Sequence, residues 1–213
     1  MPTKKEFPMR QIVAKNKIKL AKSTFSMIII ATCVFAIQAY SMGGGGNMRN
    51  CAMDQNVVQT NFASLNNEQK KELLYIYQEE KMARDVYMAM HKLYPNEITF
   101  ANIIKSEQRH MDMAEMLCKR YGVDISNIDQ SQYGKFIVPE LQKLHDTLIL
   151  QGKKNAKEAL RAGELIEVTD ISDIDKMLPL FKNYSDINTI LVRLKEASKN
   201  HLHAFRNSIR FAS

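Results

Sequence analysis

Residues 99–122 read TFANIIKSEQRHMDMAEMLCKRYG. Phe100, Ile103, Ala114, Leu117 and Tyr121 recur at spacings of three and four, the period of one helix face. Glu107 and His110 fall in the middle of that stripe, three residues apart and therefore neighbours on the helix surface. Thr99 stands where an N-cap belongs, and Gly122 follows the last turn. The stripe predicts a buried face, yet an ionised carboxylate buried without a partner is strongly unfavourable. The fold and the function both turn on what compensates it.

Three other segments repeat the pattern. In the segment 66–94, Leu73, Ile76, Ala83, Tyr87 and Met90 form a stripe with Glu80 inside it. In the segment that begins near Asn155, Leu160, Gly163, Asp170 and Ile174 enclose Glu167. In the last, from Ser185 or Asp186 to Phe211, Ile187, Leu191, Leu194, Ser198, Phe205 and Ser208 enclose His201. Carboxylates facing one another across an oily core repel, so protons or a cation must balance them. Carboxylate oxygen with imidazole nitrogen suits iron, with manganese or zinc as alternatives. The candidate ligands are Glu80, Glu107, His110, Glu167 and His201, with Glu79, Glu164 and Asp170 secondary. Glu79 enters because the first helix is apolar over a wide arc, and a register shift of one residue would exchange it for Glu80. Glu164 lies one turn before Glu167.

Each position has a plainer alternative when read singly. A lone Glu-x-x-His pair is commonly a surface pair, and Arg84 stands four residues after Glu80, a salt-bridge spacing. Four matching stripes in four helices favour the metal reading over the plain one. Other histidines do not join it. His203 shares a face with Glu196, Lys199 and Arg206 and reads as solvated, while His91 and His145 lack carboxylates at ligand spacing. Met111, Met113 and Met116 read as packing and surface residues.

The joins between helices set the connectivity. Pro95 ends the first helix, and a join of about four residues makes the first and second antiparallel neighbours. The third and fourth are also joined by a short turn. A long connection separates the second from the third and carries a short helix opened by Pro139 and stopped near Gly152. The expectation is an all-α fold, a ferritin-like four-helix bundle with one long crossover carrying a short extra helix. β-branched residues and aspartates in VTDISD (168–173) predict a bend or break in the third long helix.

The chain has 213 residues and a formal net charge of +7. Seven basic side chains against the single acid Glu6 place +6 of that charge in residues 1–41. The remainder is nearly neutral, which argues against a nucleic-acid partner. Residues 1–41 read as a signal peptide: a basic start, the apolar run MIIIATCVFAI (27–37), then small residues. Cleavage releases an extracytoplasmic protein, and retention leaves an N-terminal membrane anchor on the same side. Residues 42–63 read as a Gly-rich flexible linker, and 64–213 as the folded domain. Met42, Met48, Cys51 and Met53 in the linker are soft copper(I)-type ligands, although an unstructured tail is the simpler reading. Cys51 and Cys118 could pair in an oxidising compartment or stay apart.

The segments YIYQEEKMARDVYMAM (75–90), ANIIKSEQRHMDMAEMLCKRYG (101–122), ELIEVTDISDID (164–175) and SKNHLHAF (198–205) resemble a ferritin-like family of unknown function related to rubrerythrin and erythrin. The resemblance covers residues 64–211. Glu80-x-x-Ala83-x-x-x-Tyr87 is similar to the first-helix ligand motif of rubrerythrins, and Glu107-x-x-His110 to the second. It implies a carboxylate-bridged di-iron centre and favours Glu80 over Glu79. One position departs from the pattern: Ser198-x-x-His201 stands where the archetype has a second Glu-x-x-His. A bridging carboxylate is therefore missing unless Glu164, Glu79 or Asp170 replaces it, which bears on ferroxidase or peroxidase turnover more than on metal binding. No Cys-x-x-Cys pair of the rubredoxin type occurs.

Three functions follow as expectations. The first is an iron protein that reacts with peroxide or dioxygen, with Tyr87 either packing beside the centre or modulating electron transfer. The second is metal sequestration or sensing without catalysis. The third is a helical interaction module without metal, its acids paired with Arg84, Arg109 or protons. A homodimer is compatible with all three.

Overall fold

The computed structural model describes residues 64–212. The readings of residues 1–41 as a leader and 42–63 as a linker lie outside the described residues, as do Met42, Met48, Met53 and Cys51 with its bridge to Cys118. Cys118 itself is a buried free thiol whose Sγ donates to the Leu73 carbonyl oxygen at 3.3 Å.

The described chain is all-helical: α1 (Asn67–Leu93), α2 (Ile98–Arg120), α3 (Pro139–Gly152), α4 (Ala156–Met177), a 3-10 turn (Leu178–Phe181) and α5 (Ser185–Phe211). No strand occurs among the described residues. None of these helices is long and apolar enough to cross a membrane. Asn66 caps α1 reciprocally with Gln69, each side chain accepting from the other's backbone N–H. The Gln69 amide then donates to the Leu180 carbonyl oxygen at 2.8 Å, tying the start of α1 to the turn that follows α4. At the end of α2, Gly122 takes φ of +62°, which a residue with a Cβ adopts only with strain. Val123 N–H donates to Cys118 O and Gly122 N–H to Lys119 O, which occupies the orphan carbonyls of the last turn.

Two local expectations are corrected. Thr99 does not cap α2; the helix begins one residue earlier, and the Thr99 hydroxyl pairs with Ser208 Oγ at 2.6 Å across the interface with α5. The break expected at 168–173 is absent, since α4 runs unbroken to Met177. The aspartate that would compete with its backbone is occupied: Asp170 Oδ2 accepts from Ser198 Oγ at 2.5 Å.

The core is divided into two apolar clusters. One gathers Leu73, Ile76 and Tyr77 of α1, Met111 to Cys118 of α2, Ile174 and Met177 of α4, and Ile187 to Leu194 of α5. The other gathers Met82 to Met90, Phe100 and Ile103, Ala159 to Ile166, and Phe205. Each long helix passes from one cluster to the other, and the order of passage fixes its direction. Helices α1 and α5 run one way, α2 and α4 the other. The connection from α2 to α4 must therefore travel the length of the molecule, which is why it is long. Where α4 meets α5, a Cβ on Gly163 would lie 2.4 Å from Phe205 Cε1, so only glycine permits this approach.

That long connection is fastened to α1 by charge. Lys81 is fully buried; its Nζ donates to Asp85 Oδ2 and Gln132 O at 2.8 Å each, and lies over the Phe136 ring. Arg84 donates to Asp85 Oδ1, to Gln108 Oε1 and to Gln130 O. Asp85 Oδ2 also accepts from Gly134 N–H at 2.9 Å, and Gln78 Oε1 from Ile137 N–H at 2.8 Å. These contacts bury α1 on every side from Tyr77 to Tyr87.

Candidate metal centre

Between the two apolar clusters lies a polar layer to which all four long helices contribute. The stripes read from the sequence converge there: Glu80, Glu107, His110, Glu167 and His201 are all buried. Glu107 holds the middle. Its Oε2 lies 3.2 Å from His110 Nδ1 and its Oε1 lies 2.7 Å from His201 Nδ1. Each histidine also faces a carboxylate of its own. Glu80 Oε2 is 3.4 Å from His110 Nδ1, and Glu167 Oε1 is 3.5 Å from His201 Nδ1. The centre is thus two half-sites, Glu80 with His110 and Glu167 with His201, sharing Glu107. The imidazole rings stack with centroids 5.5 Å apart and an interplanar angle of 24°.

Surrounding groups orient these side chains. Ser106 Oγ lies 3.2 Å from His110 Nε2, leaving Nδ1 turned to the carboxylates. Tyr87 donates its hydroxyl to Glu167 Oε1 at 2.6 Å and packs with Phe100 and Phe205. Ser198 donates to Asp170 Oδ2, so the serine on α5 holds a carboxylate from α4 in the layer.

The layer is strongly perturbed electrically. Burial is the largest influence on both Glu80 and Glu167 and pushes each up to about 7. Glu107 is held at about 2, because its two histidine partners outweigh its burial. His110 rises to about 11 and His201 to about 10, since their carboxylate partners overcome the burial that would lower them. Asp170 is raised by burial and then by Glu80. Without a metal, then, protons shared between imidazoles and carboxylates balance the charge.

Several atoms remain unused in that state. Glu80 Oε1, Glu107 Oε1, Asp170 Oδ1 and His201 Nδ1 are buried without a hydrogen-bond partner. The Glu107–His201 approach is short enough for a hydrogen bond but is not aligned as one. Two ligand atoms bound at right angles to one ion would stand about 3 Å apart, given bond lengths of about 2.1 Å. The separations of 2.7–3.5 Å around Glu107 match that spacing. Ligand atoms of Glu107, His110 and His201 all lie within 4.8 Å of one another. The donor set and the orphaned atoms therefore fit a divalent metal.

The secondary candidates separate. Asp170 and Glu79 are buried in or beside the layer. Glu164 is not: it lies on the outer side of α4, where its Oε1 accepts from Arg206 Nε at 2.8 Å. Arg84 does not neutralise Glu80, despite the helical spacing. It turns instead to Asp85, Gln108 and the crossover. Arg109 and His203 are exposed, and His145 pairs with Asp146 on α3. Ser106 escaped the sequence reading, although its position one turn before His110 was a usable signal.

Relatives exist for this chain. It is 34% identical over 141 residues to the uncharacterized protein MJ0754 of Methanocaldococcus jannaschii, covering 66% of this chain and 75% of that protein. Its fold is similar to the crystal structure of hypothetical protein MJ0754 from Methanococcus jannaschii DSM 2661. The TM-score is 0.66 at 31% identity, over 70% of this chain and 83% of the other. Residues 69–212 match the family described as an uncharacterized protein domain, DUF2202, and on that match the chain belongs to the DUF2202 family.

Proposed function

We propose that this protein is a ferritin-like iron-binding protein of an extracytoplasmic compartment. Glu80, Glu107, His110, Glu167 and His201 would hold the metal, with Asp170 supplying the carboxylate that Ser198 lacks. One observation carries the reading: a buried Glu107 presents one oxygen to each of two histidine Nδ1 atoms, and each histidine faces a further carboxylate. The direction of the four helices and the single long crossover support the ferritin-like assignment. The leader read in residues 1–41 supports the compartment.

Iron at such a centre would supply electron transfer to peroxide or dioxygen. The chain's own residues do the rest. Glu107 ties the two half-sites together, and Ser106 keeps His110 Nδ1 turned inward. Tyr87 holds Glu167 by its hydroxyl, and the rings of Phe100 and Phe205 shield that end from water. Protons on His110 and His201 leave when metal binds, because the ligating imidazole is neutral.

A non-catalytic role, sequestration or sensing, is favoured by one feature. Ser198 replaces a carboxylate on α5, and its partner Asp170 is a shorter side chain on α4. Fe(II) oxidation in air faster than the protein-free rate distinguishes turnover from storage.

The reading is tested by anaerobic loading with Fe(II), desalting and measurement of iron per chain. About two irons are expected from two half-sites. His110→Ala should abolish stoichiometric binding. Iron content unchanged in that variant, or a wild-type chain that retains neither iron, manganese nor zinc, would overturn the assignment.

A further inference from the structure

The centre leaves Glu79 unexplained. It is 1% exposed, as deeply buried as Glu80, yet neither of its carboxylate oxygens has a hydrogen-bond partner. One residue along a helix is a turn of about 100°, so Glu79 points away from the half-site of Glu80. Burial raises its pKa well above the usual carboxyl value, and of the charged groups around it Asp170 and then Asp173, both on α4, raise it most.

Helices α1 and α4 are docked along this line. Tyr75 lies one turn before Glu79 on the same face of α1, and its hydroxyl donates to Asp173 Oδ2 at 3.4 Å. The helices are antiparallel, so one turn further inward Glu79 is brought opposite Asp170. Asp170 Oδ1 is likewise buried and without a hydrogen-bond partner. Outward, the same face of α1 carries Glu72, half-buried, and beyond it the exposed Glu68. The seam is therefore acidic from the surface to the polar layer.

We propose that this α1–α4 seam is the route by which a divalent cation reaches the centre, with Glu79 as the transit group between Asp173 at the mouth and the resident ligand Asp170. This rests on the metal reading given above. Burial and the neighbouring acids push the Glu79 carboxyl well above its usual pKa, so it holds a proton that a passing cation displaces to solvent, and its lack of fixed partners leaves it free to release that cation inward. At the mouth, Lys176 Nζ sits 2.6 Å from Asp173 on a half-exposed side chain, a counter-charge that an arriving cation displaces without backbone movement.

The test is anaerobic stopped-flow loading of the metal-free chain with Co(II), followed by visible absorbance, with cobalt per chain measured at the end. Glu79→Gln keeps the shape and replaces a buried carboxyl with a neutral amide, so it should fold; circular dichroism checks this. Its loading rate should fall about tenfold, the lower end of what loss of an acidic approach costs, because an amide cannot exchange a proton for the cation. Its final cobalt content and final spectrum should equal those of wild type. Asp173→Asn should also load slowly, while Glu164→Gln, on the outer face, should load at the wild-type rate. A Glu79→Gln chain that loads as fast as wild type overturns the route. One that loads less cobalt at equilibrium makes Glu79 a resident ligand and overturns transit. A wild-type chain that binds no stoichiometric cobalt overturns the metal reading itself, before any variant is compared.

Discussion

Asp85→Asn tests the fastening of the crossover to α1. Asp85 accepts four hydrogen bonds: from Lys81 Nζ, from Gly134 N–H, and from Arg84 Nε and Nη2. Its side chain is 1% exposed and that of Lys81 is 0% exposed, so solvent screens neither. Asparagine has the same shape but no charge, and its amide nitrogen must face either Lys81 or Arg84, both donors. Lys81 would keep only the carbonyls of Gln132 and Lys135 and the ring of Phe136. Removing one partner of a buried ion pair costs about 3–5 kcal/mol. For a domain of this size each kcal/mol lowers Tm by roughly 2–4 °C, so a fall of roughly 6–20 °C is expected. Thermal unfolding followed by circular dichroism measures it. Hydrogen exchange should show the amides of Gly134 and Ile137 losing protection first. A loss of less than about 1 kcal/mol would refute the reasoning, because that is the scale of an exposed pair.

Two further outcomes follow. Gly163→Ala places a Cβ 2.4 Å from Phe205 Cε1, and the ring can retreat only into packed side chains. Calorimetry should show a loss of about 1–3 kcal/mol, and an unchanged Tm would mean that the α4–α5 contact is looser than described. The metal-free chain should be most stable in mild acid. Glu107, held at about 2, contributes above its usual pKa and loses that contribution as pH falls toward 2. Glu80 and Glu167, raised to about 7, contribute below their usual pKa and lose it as pH rises through 7. His110 and His201, raised from 6.5 to about 11 and 10, contribute fully below 6.5 and lose that contribution as pH rises from there through those values. A Tm series on chelator-treated protein should therefore fall from about pH 5 to about pH 8; a rise over that range refutes the charge assignment.

The periodicity of the sequence already contained most of the fold. Stripes at spacings of three and four placed Glu80, Glu107, His110, Glu167 and His201 on inward faces, and all five are buried in one layer. Helix boundaries came close where capping is local, as at Asn66, Asn155 and Gly122. They failed where a distant partner decides. Thr99 resembles a cap from its neighbours alone, but its hydroxyl is taken by Ser208, more than a hundred residues away. VTDISD resembles a break until Ser198 occupies the Asp170 carboxylate. Arg84 shows the same limit, because helical spacing offers it to Glu80, whereas its partners are the adjacent Asp85, Gln108 of α2 and Gln130 of the returning crossover. The burial of α1 on all sides from Tyr77 to Tyr87 had no periodic signature, since part of its cover is polar backbone.

The division of the core into two oily halves bears on cooperativity. No apolar cluster spans the described residues; between Tyr77 and Met82 on α1, and between Ile166 and Ile174 on α4, the chain crosses a stratum of acids and imidazoles. Hydrophobic contact holds each half together, whereas the join between them leans on helix continuity and on charge. Whatever balances that charge, proton or cation, therefore governs whether the halves melt as one body or as two. The chain's unity is set by the occupancy of a layer a few residues thick.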